Sequence, residues 1–236
     1  MTLPPGQRAI DGFPRFGTHL HRPPPAVPPD PAIEISGAVA NATDFPLNEL
    51  AALPRRELTA DFHCVAGWSA TNLRWEGVAF ETFYRTIIEP LQPDPSVTHI
   101  VFGGLDRYRS IVSIEDALAK DVLIAEHLDG RPLDGDHGAP VRLVSPNQYG
   151  FVSTKHLCSV ELHTTAPRES YRHTSPKNQI ALRLLGPHPR ARVWKEERHR
   201  YLPAWSVRPV FRMLIPPFAF LSARGSERRH IPPASR

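Results

Sequence analysis

Apolar and polar residues alternate along this chain in short runs that proline and glycine keep interrupting. "AIEISGAV" (32–39) sets Ile33 and Ile35 against polar neighbours, a period of two that predicts a half-buried strand. "ELTADFHCV" (57–65) predicts another strand, which delivers Cys64 at its end into a Gly- and Trp-rich turn. "THIVFGG", "VLIAEHL", "APVRLVSP" and "KHLCSVELHTT" carry further strand patterns, the last two flanking the turn "NQYGF". Helical spacing is brief. "AFETFYRTII" (79–88) puts Phe80, Phe83, Tyr84, Ile87 and Ile88 on one face and stops at Pro90. "LNELAAL" (47–53), ended by Pro54, and "SIEDALA" are shorter helix candidates. No internal repeat is visible, and the irregular interleaving predicts a mixed, strand-rich α+β fold.

Residues 1–32 hold nine prolines, including "HRPPPAVPPDP", and read as an extended N-terminal wrapping segment. Residues 33–175 read as the folded domain and 176–236 as a basic, Arg/Pro-rich C-terminal extension.

Composition sharpens this picture in two places. The 27 prolines and 14 glycines of the 236 residues disfavour long helices, while 41% hydrophobic content is enough for one substantial core. The net charge of +4 hides an asymmetry: from Arg183 to Arg236, 12 Lys/Arg face 3 Asp/Glu, leaving 16 against 21 elsewhere. Such an extension suits docking to an anionic membrane surface or to a redox partner, with simple solvation of a basic tail as the competing reading. No nucleic-acid module accompanies the charge, so no nucleic-acid partner is expected. No apolar run approaches the roughly 18 residues of a membrane span, and the N-terminus shows no secretory pattern. The expected location is cytoplasmic, with reduced thiols.

The two cysteines, Cys64 and Cys158, stand 94 positions apart and form no CxxC pair. Cys64 could be a small buried hydrophobe, a metal ligand, or a nucleophile partnered by a histidine. The 12 histidines come without HExxH spacing, and adjacent His63 and Cys64 on a strand would point to opposite faces, which disfavours a zinc site.

The company around Cys64 is more specific. "LTADFHCVAGWSATNLRWEGV" resembles the cysteine-bearing motif of the sulfite-oxidase family of molybdenum enzymes, D-x-H-C-V-x-x-W-S followed by W-x-G-V. The likeness continues through "FGGLDRYRS", "DHGAPVR", "GFVSTK" and "ESYRH", and the opening "LPPGQ" and the strand "IEISGAV" are also similar, from about residue 3 to about residue 173. The resemblance implies a sulfite-oxidase-type molybdopterin-binding domain carrying Mo-molybdopterin. Cys64 would be the metal ligand and catalytic residue, a soft thiolate suited to such a centre. By the same resemblance Asp106, His137, Arg142, Ser153 and Lys155 would hold the pterin and its phosphate, with His19 a looser match. Cys158 matches no ligand and is expected to pack in the core. Trp68 and Trp75 would lie over the cofactor or in the core, and Arg74 at an anion or on the surface.

Some positions depart from the family pattern. Sulfite-oxidising relatives carry arginines where this chain has Ser69 and Gly17, and without those cations a dianion would be poorly held. Ala66 stands where Thr is common, and Val152 where a basic residue is common. The implied activity is a two-electron oxygen-atom transfer on a small sulfur or nitrogen oxide, with sulfite itself disfavoured. Electrons would be exchanged with a separate electron-transfer protein, and the chain would act as a monomer. A catalytically degenerate molybdopterin-binding module is the competing expectation.

Overall fold

The structure is a computed structural model that describes residues 2–15, 23–167, 186–203, 205–210, 212, 213 and 216. His19, Gly17 and "ESYRH" lie outside the described residues. In chain order the strands are β1 (Arg8–Ala9), β2 (Ala32–Gly37), β3 (Thr43–Pro46), β4 (Arg55–His63), β5 (Trp68–Ala79), β6 (His99–Gly104), β7 (Arg109–Ser113), β8 (Leu123–Leu128), β9 (Arg131–Pro132), β10 (Arg142–Val144) and β11 (Leu157–His163). They form two sheets. One runs β1-β5-β8-β10, with β4 added to β5 and β9 to β8; the other runs β3-β2-β11-β6-β7. Among the described residues, only β1 on β5 and β2 on β11 pair in parallel.

Two apolar clusters follow from this layout. The larger joins Ile33 and Ile35, Phe80 and Phe83, Ile100 and Phe102, and Val160 and Leu162, inward positions of the second sheet and the helical segment covering it. The smaller joins Trp68, Trp75, Leu123 and Ala125 of the first sheet, and Cys64 belongs to it. Phe13 brings the N-terminal segment onto this second cluster, with its ring 4.8 Å from Phe62 and 5.8 Å from Trp75.

The fold matches the α+β expectation and corrects several details. The expected Gly- and Trp-rich turn shrinks to residues 64–67, because "WSATNLRWEGVA" is a 12-residue strand, β5, paired on both sides. The short edge strands β3 and β7 carry few buried side chains and so little periodic signal. The segment 79–88 is helical from Phe80 but widens to π spacing over Tyr84–Ile88. Pro90 does not stop it: Glu89–Leu91 forms a further 3-10 turn with proline in its first turn, where a missing N–H costs nothing.

Residues 186–203 pack against the body. Ala191 and Val193 are buried in the larger cluster, and their backbones bond to Tyr149 and Asn147 at 2.9 and 3.0 Å. Arg190 grips Asp116 through two nitrogens at 2.8 and 2.5 Å, and Arg192 grips Glu197 at 2.8 and 2.6 Å. Much of the basic charge here is therefore met within the fold. Beyond this stretch Trp205 and Met213 are 72% and 71% exposed. No helix among the described residues is long and apolar enough to cross a membrane.

Candidate functional site

Cys64 sits where β4 turns into β5. Its N–H donates to Trp68 O at 2.8 Å and its carbonyl accepts from Gly67 N at 2.9 Å. Gly67 has φ +97°, a conformation that closes this turn and that side chains resist. Burial pushes the Cys64 thiol up to about 12, with the Ala66 N–H and then the charges of Arg198 and Lys155 acting against it. A free thiol in this setting is protonated at neutral pH, and the adjacent imidazole does not serve it. His63 Nδ1 lies 2.7 Å from Ser69 Oγ, and Ser69 Oγ donates to Gln7 Oε1 at 3.1 Å. Among the described residues the geometry therefore shows no Cys–His nucleophile, while a soft metal could displace the thiol proton.

The segment 134–140, "DGDHGAP", turns its carbonyls onto basic side chains. His137 O accepts from Arg142 Nη1 at 2.9 Å, Asp136 O from Lys155 Nζ at 2.5 Å, and Gly138 O from His156 N at 3.1 Å. Ala139 O lies 2.6 Å from His156 Nδ1. Gly138 has φ +111°, and a Cβ there would lie 3.1 Å from the Cβ atoms of both Arg142 and Lys155, so glycine lets the loop close over them. His137 is a clasp: Nδ1 lies 2.8 Å from Asp134 Oδ1 and Nε2 lies 2.9 Å from Phe13 O.

Arg142 is wholly buried, enclosed by Trp75, Phe62 and Phe13 with ring centroids 5.2, 5.5 and 5.8 Å from its Cζ. It donates to His137 O, Ser153 O and Leu143 O, and no carboxylate among the described residues pairs with it. Burial draws this guanidinium down to about 9. Half-buried Lys155 falls to about 7 through desolvation and then the charges of Arg142 and Arg15, with Asp136 and Asp134 opposing. A buried cation without a counter-charge beside a second cation is an arrangement that an anionic group would complete.

The remaining expected residues cluster here with differing freedom. Ser153 Oγ accepts from Ser145 N at 3.1 Å, so its hydroxyl holds the end of β10. Asp106 Oδ1 accepts from Tyr108 N at 3.0 Å and lies across Gly104 from Lys155: a Cβ on Gly104 would be 2.9 Å from Asp106 Oδ1 and 2.3 Å from Lys155 O. Trp68 and Trp75 are core residues, Arg74 is exposed and Cys158 is half-buried. Sequence reading had not identified Phe13, Arg15, Gln7, His156 and Arg198. Phe13 and Arg15 lie in a proline-punctuated segment without period, and Arg198 in a stretch whose composition reads as tail.

The Lys155 shift makes stability depend on pH. Between about 7, its pKa in the fold, and the ordinary 10.5, the unfolded chain binds the extra proton, so stability rises with pH across that window. Urea unfolding of the cofactor-free protein from pH 6.5 to pH 9.5 should show this rise, and Lys155→Met should flatten it.

Comparison with known proteins places this chain in a family. The profile described as "Oxidoreductase molybdopterin binding domain" matches residues 21–171. A putative protein-methionine-sulfoxide reductase subunit of Azospira oryzae is 29% identical over 57% of this chain and 50% of its own length. The protein-methionine-sulfoxide reductase catalytic subunit MsrP of Gluconobacter oxydans is 25% identical over 74% of this chain and 60% of its own length. An uncharacterized oxidoreductase of Bacillus subtilis is 28% identical over 55% of this chain and 63% of its own length. The chain thus spans about half to under two thirds of these relatives. The sulfane dehydrogenase SoxCD of Paracoccus pantotrophus shares the fold with a TM-score of 0.54 at 21% identity, over 70% of this chain and 44% of that one. With Cys64, with Lys155 whose charge acts on it, and with Arg142, beside Lys155 and unpaired with any carboxylate among the described residues, the donor set fits an anionic pterin bearing a soft metal, and the chain belongs to the oxidoreductase molybdopterin-binding domain family.

Proposed function

We propose that the chain is a molybdenum-cofactor-dependent oxidoreductase that exchanges an oxygen atom with a small sulfur oxide, a sulfoxide above all, and passes electrons through a separate protein. The observation that carries this reading is that Cys64, buried at its tight turn, lies within reach of the charge of Lys155, which in turn lies beside the buried Arg142. In this reading Cys64 supplies the thiolate ligand. Arg142 and Lys155 hold the anionic part of the cofactor, and the 134–140 carbonyls keep both cations in place. When bound, the cofactor supplies the two-electron redox centre for the exchange. The substrate balance is a sulfoxide, two electrons and two protons giving a sulfide and water.

Two findings favour a neutral oxide over a dianion. Ser69, at the position where the resemblance places an arginine in sulfite-oxidising relatives, is wholly buried and bonded to His63 and Gln7. Two relatives carry names that state methionine-sulfoxide reduction, and those names call them subunits, which supports a separate electron partner. Anion binding beside Lys155 would bring a proton onto its amine, so cofactor affinity should weaken as pH climbs above about 7.

The test is to purify the protein from cofactor-competent cells, measure molybdenum per chain, and assay sulfoxides, N-oxides and sulfite with viologen mediators. The expected result is near-stoichiometric molybdenum, sulfoxide turnover, and a thiolate-to-metal absorption lost in Cys64→Ser together with activity. Molybdenum retained without turnover on any of these substrates would favour the degenerate binding module. Protein free of molybdenum from such cells would end the reading.

A further inference from the structure

The 64–67 turn is held from outside itself. Gln7 Nε2 donates to Cys64 O at 3.1 Å, Arg8 N donates to Gly67 O at 3.1 Å, and Arg198 Nη1 donates to Val65 O. The carbonyls of three of its residues are thus gripped by side chains or backbone from the two ends of the described chain. Arg198 lies outside residues 21–171, the span that the family profile matches.

Arg198 is the centre of this clamp. It is 1% exposed, its Nη2 donates to Gly6 O at 3.2 Å, and its Cζ lies 5.1 Å over the Tyr149 ring. Glu196 Oε1 stands 3.7 Å from its Nε and partly offsets the buried charge, though it is shared with Arg208, whose Nε donates to it at 2.8 Å. Gly6 fits because it has no side chain: with φ +70°, a Cβ there would lie 2.8 Å from Arg198 Nη2 and 2.8 Å from Glu196 Oε1. Arg198 does not replace the missing substrate arginine, since Glu196 already stands beside its charge. Its position serves the turn. A metal ligand must hold its sulfur at one point, and small displacements of a ligand weaken both binding and chemistry.

We propose that Arg198, reaching back from the C-terminal segment, is a positioning residue that clamps the Cys64 turn, so that this segment is a working part of the site. The assignment rests on Cys64 being the metal ligand. Its test reads the turn first without the metal. In a Cys158→Ser background, the alkylation rate of Cys64 is measured by iodoacetamide across a pH series in cofactor-free protein, with circular dichroism as the control for folding. It is expressed per thiolate, because losing the Arg198 charge also raises the thiol. So expressed, Arg198→Gln should speed alkylation roughly tenfold, the factor expected when one charge-assisted hydrogen bond no longer holds the turn closed. Gln7→Ala should act in the same direction from the other side, while Arg192→Gln, which breaks only the ion pair with Glu197, should leave the rate unchanged. In cofactor-loaded protein, Arg198→Gln should also shift the thiolate-to-metal absorption. A folded Arg198→Gln protein with the parent's alkylation rate and absorption would overturn the proposal. Should that variant not fold, Arg198→Lys, which keeps the cation but cannot bridge both carbonyls, is judged by the same two readings. Absence of molybdenum from the parent protein would instead count against the cofactor reading, because the alkylation arm does not depend on it.

Discussion

Arg142→Met is expected to keep the cofactor-free protein folded, with its Tm within roughly 5 °C of the parent, while speeding loss of the cofactor by about 100-fold or more. Two opposing effects make the stability change small. Methionine leaves His137 O, Ser153 O and Leu143 O without their donor, at about 1 kcal/mol for each bond. It also removes a buried cation that no carboxylate among the described residues balances, and whose burial draws the guanidinium down to about 9. Replacing a buried charge by an apolar side chain of similar length is often neutral or favourable on balance. The ligand effect has no such compensation. Of the five guanidinium N–H groups three are committed to carbonyls, and in the proposed reading the other two would meet the anion, at about 1.5–3 kcal/mol for each charged bond. Molybdenum per chain measured through successive gel-filtration steps, alongside thermal unfolding, separates the two effects. A variant that keeps its molybdenum like the parent would show that Arg142 only fills the core.

The largest stability loss is expected at Gly77. This residue sits in β5 opposite Ala125 of β8, next to an irregularity in their register. A Cβ there would lie 1.9 Å from Ile124 O and 2.8 Å from Ala125 Cα, and both are main-chain atoms in the middle of the first sheet. Neither can swing aside, so relief would require separating β5 from β8. Gly77→Ala should therefore cost more than about 4 kcal/mol, the range reserved for substitutions that break the core. It should appear as insoluble protein or as a Tm lowered by roughly 10 °C or more. A soluble variant with the parent's urea midpoint would mean that these strands do not approach so closely.

The site was unevenly legible. Cys64, Asp106, His137, Arg142, Ser153 and Lys155 could be proposed from their motifs, because each lies in a short block whose residue order is itself distinctive. Their surroundings were not. Sequence spacing put Arg142 in a strand between Val141 and Leu143, but only the fold encloses it in Phe13, Phe62 and Trp75, rings drawn from positions far apart in the chain. His137 matched a cofactor position, yet both its ring nitrogens are occupied by Asp134 and Phe13. A motif records residue type and spacing, and neither states which hydrogen bonds a side chain has already made.

The sequence by itself determined the strand-rich α+β character, through period-two runs and frequent proline, and the single thiol around which the chemistry is proposed. Those are local properties, readable wherever a few neighbouring residues must satisfy one backbone geometry. The tertiary structure alone decided that "WSATNLRWEGVA" is a central strand, since pairing with β4 and β8 overrides the loop-like reading of its glycine and tryptophans. It also decided that residues 186–203 complete the body, with Arg198 locked onto Gly6 and Val65. Composition cannot distinguish an arginine bound for solvent from one bound for a distant carbonyl, because the difference lies in partners almost the whole chain away.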